Sequence, residues 1–236
     1  MNSNRLPGKV MLNISGKPIV QHIFDRLNYC KKLQSIVIST GPYQQNSVLC
    51  DYAKKKCIPI FTGKETDLID RIYNTALKYD ATAIVRITAD CPLVDPEIVD
   101  KLITIFEKDP TNFDLVTNCL KNTFPHGLDV EVYSFNVIER LWNQINDPEY
   151  REWFSLHIRN NSKDFKIYNF ENSVNLSNIR LTVDYKEDLE LINKMFKNSN
   201  SELLHLDEII KLFEKFPEMK KINEVYHNHR NIDAPN

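Results

Sequence analysis

Short apolar stretches alternate with amphipathic ones through the first half of this chain, and that alternation constrains its fold more than any single motif. SIVIST (35–40), IPIFTG (58–63), AIVRIT (83–88) and FDLVTN (113–118) read as strands. Helices are predicted over 18–31, 47–56, 66–79 and 96–108. The first carries Ile19, Ile23 and Leu27, with Val20 and Phe24, on one stripe behind Pro18. The third aligns Leu68, Ile72 and Ala76, with Thr66 or Asp67 as its N-cap. Near-continuous apolar strands separated by helices imply strands covered on both faces, hence an open, largely parallel α/β sheet. Ligands bind such sheets beyond the carboxyl ends of the strands, which singles out Thr40, Gly63, Asp90 and Asn118.

After Asn118 the rhythm changes. LDVEVY (128–133) alternates apolar and acidic residues and predicts a half-exposed strand. Helices are predicted over 137–144, 147–160, 189–196 and 206–216, and strands over 166–170 and 179–183. One domain over 1–226, with an inserted substrate-side subdomain at roughly 120–178 and a loose polar tail at 227–236, accounts for this pattern.

Charge excludes some partners. Thirty basic side chains face 32 acidic ones in 236 residues, a net charge of -2, which offers nucleic acid or an anionic membrane no electrostatic purchase. No run approaches the ~18 apolar residues of a membrane span, and no signal sequence is evident. The five cysteines are odd in number and lack CxxC spacing, which predicts reduced thiols and a cytoplasmic location. Four of only five glycines (Gly8, Gly16, Gly63 and Gly127) adjoin polar motifs.

Four of those motifs carry chemistry. In RLPGK, a Pro-Gly turn lets backbone approach a ligand while Arg5 and Lys9 flank it with positive charge; the alternative is an ordinary basic turn. In RITADCPLVDP, Asp90 lies two residues past a strand, where a carboxylate suits Mg²⁺ or simply caps a turn. In RLTVDYKEDLELI, Asp184 again follows an apolar stretch, so two distant aspartates could meet at one metal ion. In FPHGLDVEVY, Asp129 and Glu131 project to one side, either to hold sugar hydroxyls or as the wet face of an edge strand. Arg151 and Glu152 follow on a helix, with His157 read as structural.

In order and spacing, RLPGKVM, SGKPIVQHIFDRL, DLIDRIYNTA, RITADCPLVDP, FPHGLDVEVYS and RLTVDYKEDLELI resemble the cytidylyltransferases of the spore-coat polysaccharide type, relatives of the CMP-sugar synthetases for KDO and sialic acid. The resemblance implies a nucleotide-diphosphosugar-transferase-like, Rossmann-like three-layer α/β fold with a mixed, mostly parallel sheet. It also implies activation of a sugar or sugar acid with CTP and Mg²⁺, release of pyrophosphate, and a possible homodimer. Carried over, Lys9, Asp90 and Asp184 are catalytic, with Asp90 and Asp184 on the metal. Arg5, Lys9, Arg86 and Thr88 bind nucleotide; Asp67, Asp129, Glu131, Arg151 and Glu152 bind the sugar. His126, Trp153 and Gly41-Pro42 depart from residues frequent in the family, which leaves the sugar open. Relatives also carry a strand ending in Gln-Ala-Arg ahead of the methionine aligned with Met1, so the expectation is a natural start further upstream. Two rivals remain: a glycosyltransferase, against which Asp-Cys-Pro in place of Asp-x-Asp speaks, and an inactive truncated paralogue.

Overall fold

A computed structural model describes residues 5–199, 201 and 203–229. After a 3₁₀ turn at Lys9–Met11, a small hairpin of β1 (Asn13–Ile14) and β2 (Lys17–Pro18) leads into α1 (Ile19–Leu27). Strand β3 (Ile38–Thr40), α2 (Tyr43–Lys55) and β4 (Ile60–Thr62) follow, with β3 and β4 paired in parallel. Next come α3 (Leu68–Lys78), β5 (Ala83–Arg86), α4 (Pro96–Lys108), β6 (Leu115–Thr117) and β7 (Glu131–Ser134). Helices α5 (Phe135–Gln144), α6 (Pro148–Glu152) and α7 (Phe154–Asn160) precede β8 (Ile167–Asn169), and α8 (Lys186–Asn198) and α9 (Leu206–Lys215) complete the set.

The larger sheet has the order β5-β7-β6-β8. Strand β7 runs antiparallel to both neighbours while β6 and β8 are parallel, so the sheet is mixed with β7 alone reversed. Alternate residues of each strand feed opposite faces. Val116 and Val132 join a core with Ile23, Leu102 and Leu191, whereas Leu115 and Tyr133 join another with Ile72, Leu141 and Phe154. Helices therefore cover both faces, the three-layer arrangement expected. Each buried aliphatic side chain contributes about 1.5–3 kcal/mol. Local chemistry sets the helix starts. Asp67 accepts a hydrogen bond from Asp70 N at the head of α3, and Asp95 accepts one from Glu97 N ahead of Pro96 in α4.

Three expected elements differ. Residues 128–133 do not form a half-exposed edge: β7 is central and every one of its residues is buried. Its acidic position is tolerated because Glu131 lies opposite Arg86 in the ladder and the two side chains pair. Residues 179–183 are not a ladder strand. They make one isolated bridge, His126 with Arg180, through His126 N to Ile179 O and Leu181 N to His126 O; the pairing goes no further because Val183 N donates to Asp90 O instead. The helix predicted over 147–160 breaks at Trp153 (φ −112, ψ 43) into α6 and α7. Residues 120–178 supply β7, β8 and α5–α7. The polar segment from His227 is partly ordered onto Tyr185 and Arg180 through His229, and its remainder, 230–236, lies outside the described residues, as does Met1. Among the described residues, β3 pairs with β4 alone and β5 with β7 alone, and no helix is long and apolar enough to cross a membrane.

Candidate active site

The RLPGK segment forms a tight turn. Gly8 sits in the left-handed region (φ 68, ψ 14), a conformation that glycine adopts without the steric cost of a Cβ. Lys9 N donates to Leu6 O and Met11 N to Gly8 O, which fixes where the Lys9 side chain starts. Its ammonium ends 2.7 Å from Asp90 Oδ2 and 2.7 Å from Asp184 Oδ1. The two carboxylates thus lie within twice that distance of each other, although 94 residues separate them in the sequence. Backbone lacing brings them there. Val183 N donates to Asp90 O at 2.8 Å, and the Thr182 hydroxyl donates to the same oxygen at 3.2 Å.

Asp184 is saturated with donors. Oδ1 also accepts Arg5 Nη2 at 2.9 Å, and Oδ2 accepts Arg180 Nη2 at 2.7 Å. Arg180, itself buried, forks onto Asp188 through Nε at 2.9 Å and Nη2 at 3.1 Å. Asp188 takes the backbone N–H groups of Asp184 and Tyr185 and the amide of Asn223. Burial by itself would push the Asp90 carboxyl up. The charge and hydrogen bond of Lys9, aided by the Thr88 hydroxyl and His126, hold it well below the usual carboxylate range. Burial likewise opposes the charge on Lys9, and the two aspartates outweigh it and raise its pKa. Burial pushes the thiols of Cys91 and Cys119 far up, so both stay protonated and neither is an activated nucleophile.

Beside this cluster opens a cleft of about 430 Å³. A cytidylyltransferase family model matches residues 1–231. The chain belongs to the cytidylyltransferase family. It is 27% identical over 228 residues to the spore coat polysaccharide biosynthesis protein SpsF of Bacillus subtilis, covering 92% of each. It is 29% identical over 206 residues to an 8-amino-3,8-dideoxy-manno-octulosonate cytidylyltransferase of Shewanella woodyi, covering 82% of this chain and 80% of that one. The structure of a Leptospira borgpetersenii cytidylyltransferase superposes with a TM-score of 0.89 at 30% identity, over 93% of this chain and 92% of that one.

In this cytidylyltransferase the cleft brings together most of the residues singled out from the sequence. Arg5, Arg86, Thr88, Asp90, Asp184, Asp129, Glu131 and Glu152 all line it. Lys9 reaches it through its two aspartates. Arg86 and Glu131 arrive as a pair: burial opposes the charge on Arg86, and Glu131 more than compensates and raises its pKa. Asp67 and Arg151 are absent from the lining. They bond to each other at 2.9 Å, and Arg151 also donates to the carbonyls of Trp142 and Ile145. These bonds tie α6 to the head of α3.

The cleft also holds side chains that sequence reasoning left unassigned. Arg71 donates to the carbonyls of Lys64 and Glu65. Arg159 lines the wall with no carboxylate partner among the described residues. Trp153 adds an apolar surface. Arg71 falls inside DLIDRIYNTA, a quoted motif, but a helical arginine there gave no sign of facing the cleft. Arg180, Asp188 and Asn223 were likewise missed; the four-residue spacing of Arg180, Asp184 and Asp188 was the available signal.

The donor set suits a hard divalent cation. Two carboxylate oxygens converge on one point, and among the described residues no three His, Cys, Asp or Glu side chains gather into a complete cage. Mg²⁺ takes this pattern, with one or two carboxylates and the rest of the shell from phosphate oxygens and water.

Proposed function

We propose that this cytidylyltransferase uses CTP to activate a sugar or sugar acid, giving a CMP- or CDP-sugar and pyrophosphate for surface polysaccharide or glycoconjugate synthesis. The observation that carries the reading is the junction of Lys9 with Asp90 and Asp184 beside a cleft of mixed charge. The names of the Bacillus and Shewanella relatives support a sugar or sugar-acid acceptor.

An acceptor oxygen, either a hydroxyl or a phosphate oxygen, attacks the α-phosphorus in line. A new P–O bond forms as the bond to the β-phosphate oxygen breaks; pyrophosphate leaves with that electron pair and takes up the proton that a hydroxyl acceptor gives up, whereas a phosphate acceptor attacks already deprotonated. Asp90 and Asp184 would hold Mg²⁺, which supplies neutralising charge to the phosphate oxygens. Arg5 and Lys9 grip the departing phosphates, Arg as a fork and Lys as a mobile point charge. Asp129 and Glu152 accept hydrogen bonds from acceptor hydroxyls, and Thr88 and Arg86 border the nucleotide. Arg159 faces an anionic group of the acceptor, and Trp153 provides a surface for its ring. Catalysis on this account is mainly positioning and electrostatics.

Pyrophosphate release from each of the four nucleoside triphosphates, assayed with a panel of acid sugars and sugar phosphates, tests the reading. Release with CTP and one acceptor class is the expected result. Absence of release across the panel from folded protein, or transfer from a preformed nucleotide-sugar instead, overturns it.

A further inference from the structure

Lys9 stands where a metal ion would have to stand. Its Nζ lies 2.7 Å from both Asp90 Oδ2 and Asp184 Oδ1. An ion bound to those oxygens at about 2.1 Å would share their lone pairs and crowd the ammonium. Two positive centres at contact distance in a half-buried site repel strongly.

Charge balance points the same way. Asp90, Asp184 and Asp188 are met by Lys9, Arg5 and Arg180, three against three. A bare divalent cation approaching this cluster finds no surplus of negative charge. The three cations differ in freedom. Arg180 is 1% exposed and bonded to Asp184, Asp188 and His229 O, so it is fixed. Lys9 hangs on a flexible four-carbon stem from the Gly8 turn, and the two aspartates it bonds line the cleft of about 430 Å³.

We infer that Lys9 is an exchangeable counterion: its ammonium and a divalent cation are mutually exclusive on the Asp90–Asp184 pair, and nucleotide phosphates draw Lys9 away to admit the ion. The inference rests on the reading that Asp90 and Asp184 hold the metal. It makes metal and triphosphate cooperative ligands, each strengthening the other by the same factor.

Mn²⁺ binding to the full chain without nucleotide, followed by the electron paramagnetic resonance of the free ion, tests this without turnover. Lys9→Met is expected to tighten Mn²⁺ binding about 10-fold or more over the parent protein, within the usual range of coupling between sites. Lys9→Arg, which keeps a cation there, is expected to bind as weakly as the parent. Lys9→Gln repeats the comparison, with circular dichroism confirming that each variant is folded. Equal or weaker binding by folded Lys9→Met and Lys9→Gln overturns the exchange. The gain is expected to vanish when Asp90→Asn is added. A gain that survives Asp90→Asn places the ion elsewhere and overturns the metal assignment itself, a different failure from no gain at all.

Discussion

Arg180 and Asp184 are joined at 2.7 Å across a stretch of backbone that is not helical. The same guanidinium holds Asp188, which in turn accepts the backbone N–H groups at the head of α8. One buried arginine thereby fixes both the carboxylate offered to the cleft and the helix behind it. Arg180→Met should leave two buried aspartates without their shared cation and cost about 3–5 kcal/mol. Urea denaturation monitored by circular dichroism reads this directly. Arg180→Lys should recover only part of the loss, because an ammonium cannot reproduce the fork.

Asp90→Asn keeps the shape of the site and removes one of the two charges that Lys9 bridges. Turnover should fall about 10²-fold or more, the scale of losing one positioned electrostatic group. Steady-state pyrophosphate release at saturating CTP measures it, and near-normal kcat would remove Asp90 from the chemistry.

Asp67 and Arg151 should behave as a structural pair. Each alanine substitution is expected to cost about 1.5–3 kcal/mol, as for other charged hydrogen bonds. The double variant should cost less than the sum of the singles. Denaturant midpoints supply all four corners of the cycle. Unchanged stability together with a raised KM for the acceptor would instead return both residues to the substrate wall.

Gly127 has φ 108, and a Cβ built there would lie 2.5 Å from Thr182 N and 2.6 Å from the carbonyl carbon of Leu181. That close approach lets the 124–129 segment lie against residues 179–183, of which Thr182 and Val183 donate to Asp90 O. Gly127→Ala should destabilise the protein by about 1–3 kcal/mol through backbone strain alone, and more through the clash. The melting temperature should drop and the KM for nucleotide should rise together; a normal melting curve would contradict this account.

His22 predicts an acid sensitivity. Its Nε2 donates to Ile14 O at 2.7 Å in a buried setting. Burial is the main cause that lowers its pKa below 6.5; the charges of Lys17 and Arg26 add to it, and the Ile14 hydrogen bond and Asp25 oppose it. The unfolded chain therefore takes up the proton more readily than the folded one. Stability from this group is complete above pH 6.5 and is lost as pH falls through the depressed folded value. Melting temperatures across pH 7 to 5 should show this slope, and His22→Gln should flatten it.

Much of this molecule was legible from local pattern. The stripe of Ile19, Ile23 and Leu27, the cap at Asp67 and the start of α4 at Pro96 all depend on neighbours in sequence, and the structure contains them. Asp90 and Asp184 were singled out because ligands gather past strand ends, and the structure brings the two together at Lys9 even though residues 179–183 are not a ladder strand. What escaped depends on partners far along the chain. The half-exposed strand expected at 128–133 failed at Glu131 because its mate, Arg86, is 45 residues away. The bond between Asp67 and Arg151 was not legible either, because it spans 84 positions. Arg180 drew no assignment, because the groups that close around it, Asn223 and His229 O, lie more than 40 positions away.

The bond from Lys9 to Asp184 spans 175 positions, and the amide that steadies Asp188 is supplied by Asn223. During translation, therefore, Lys9 is made well before either carboxylate it bridges, and its contacts cannot close until Asp184 has followed. A partly synthesised chain can acquire its helices and much of its sheet while remaining catalytically silent, because loops this long must close before their contacts give any return. Competence arrives late and at once, when Lys9 meets Asp90 and Asp184 and Asn223 closes on Asp188 behind them.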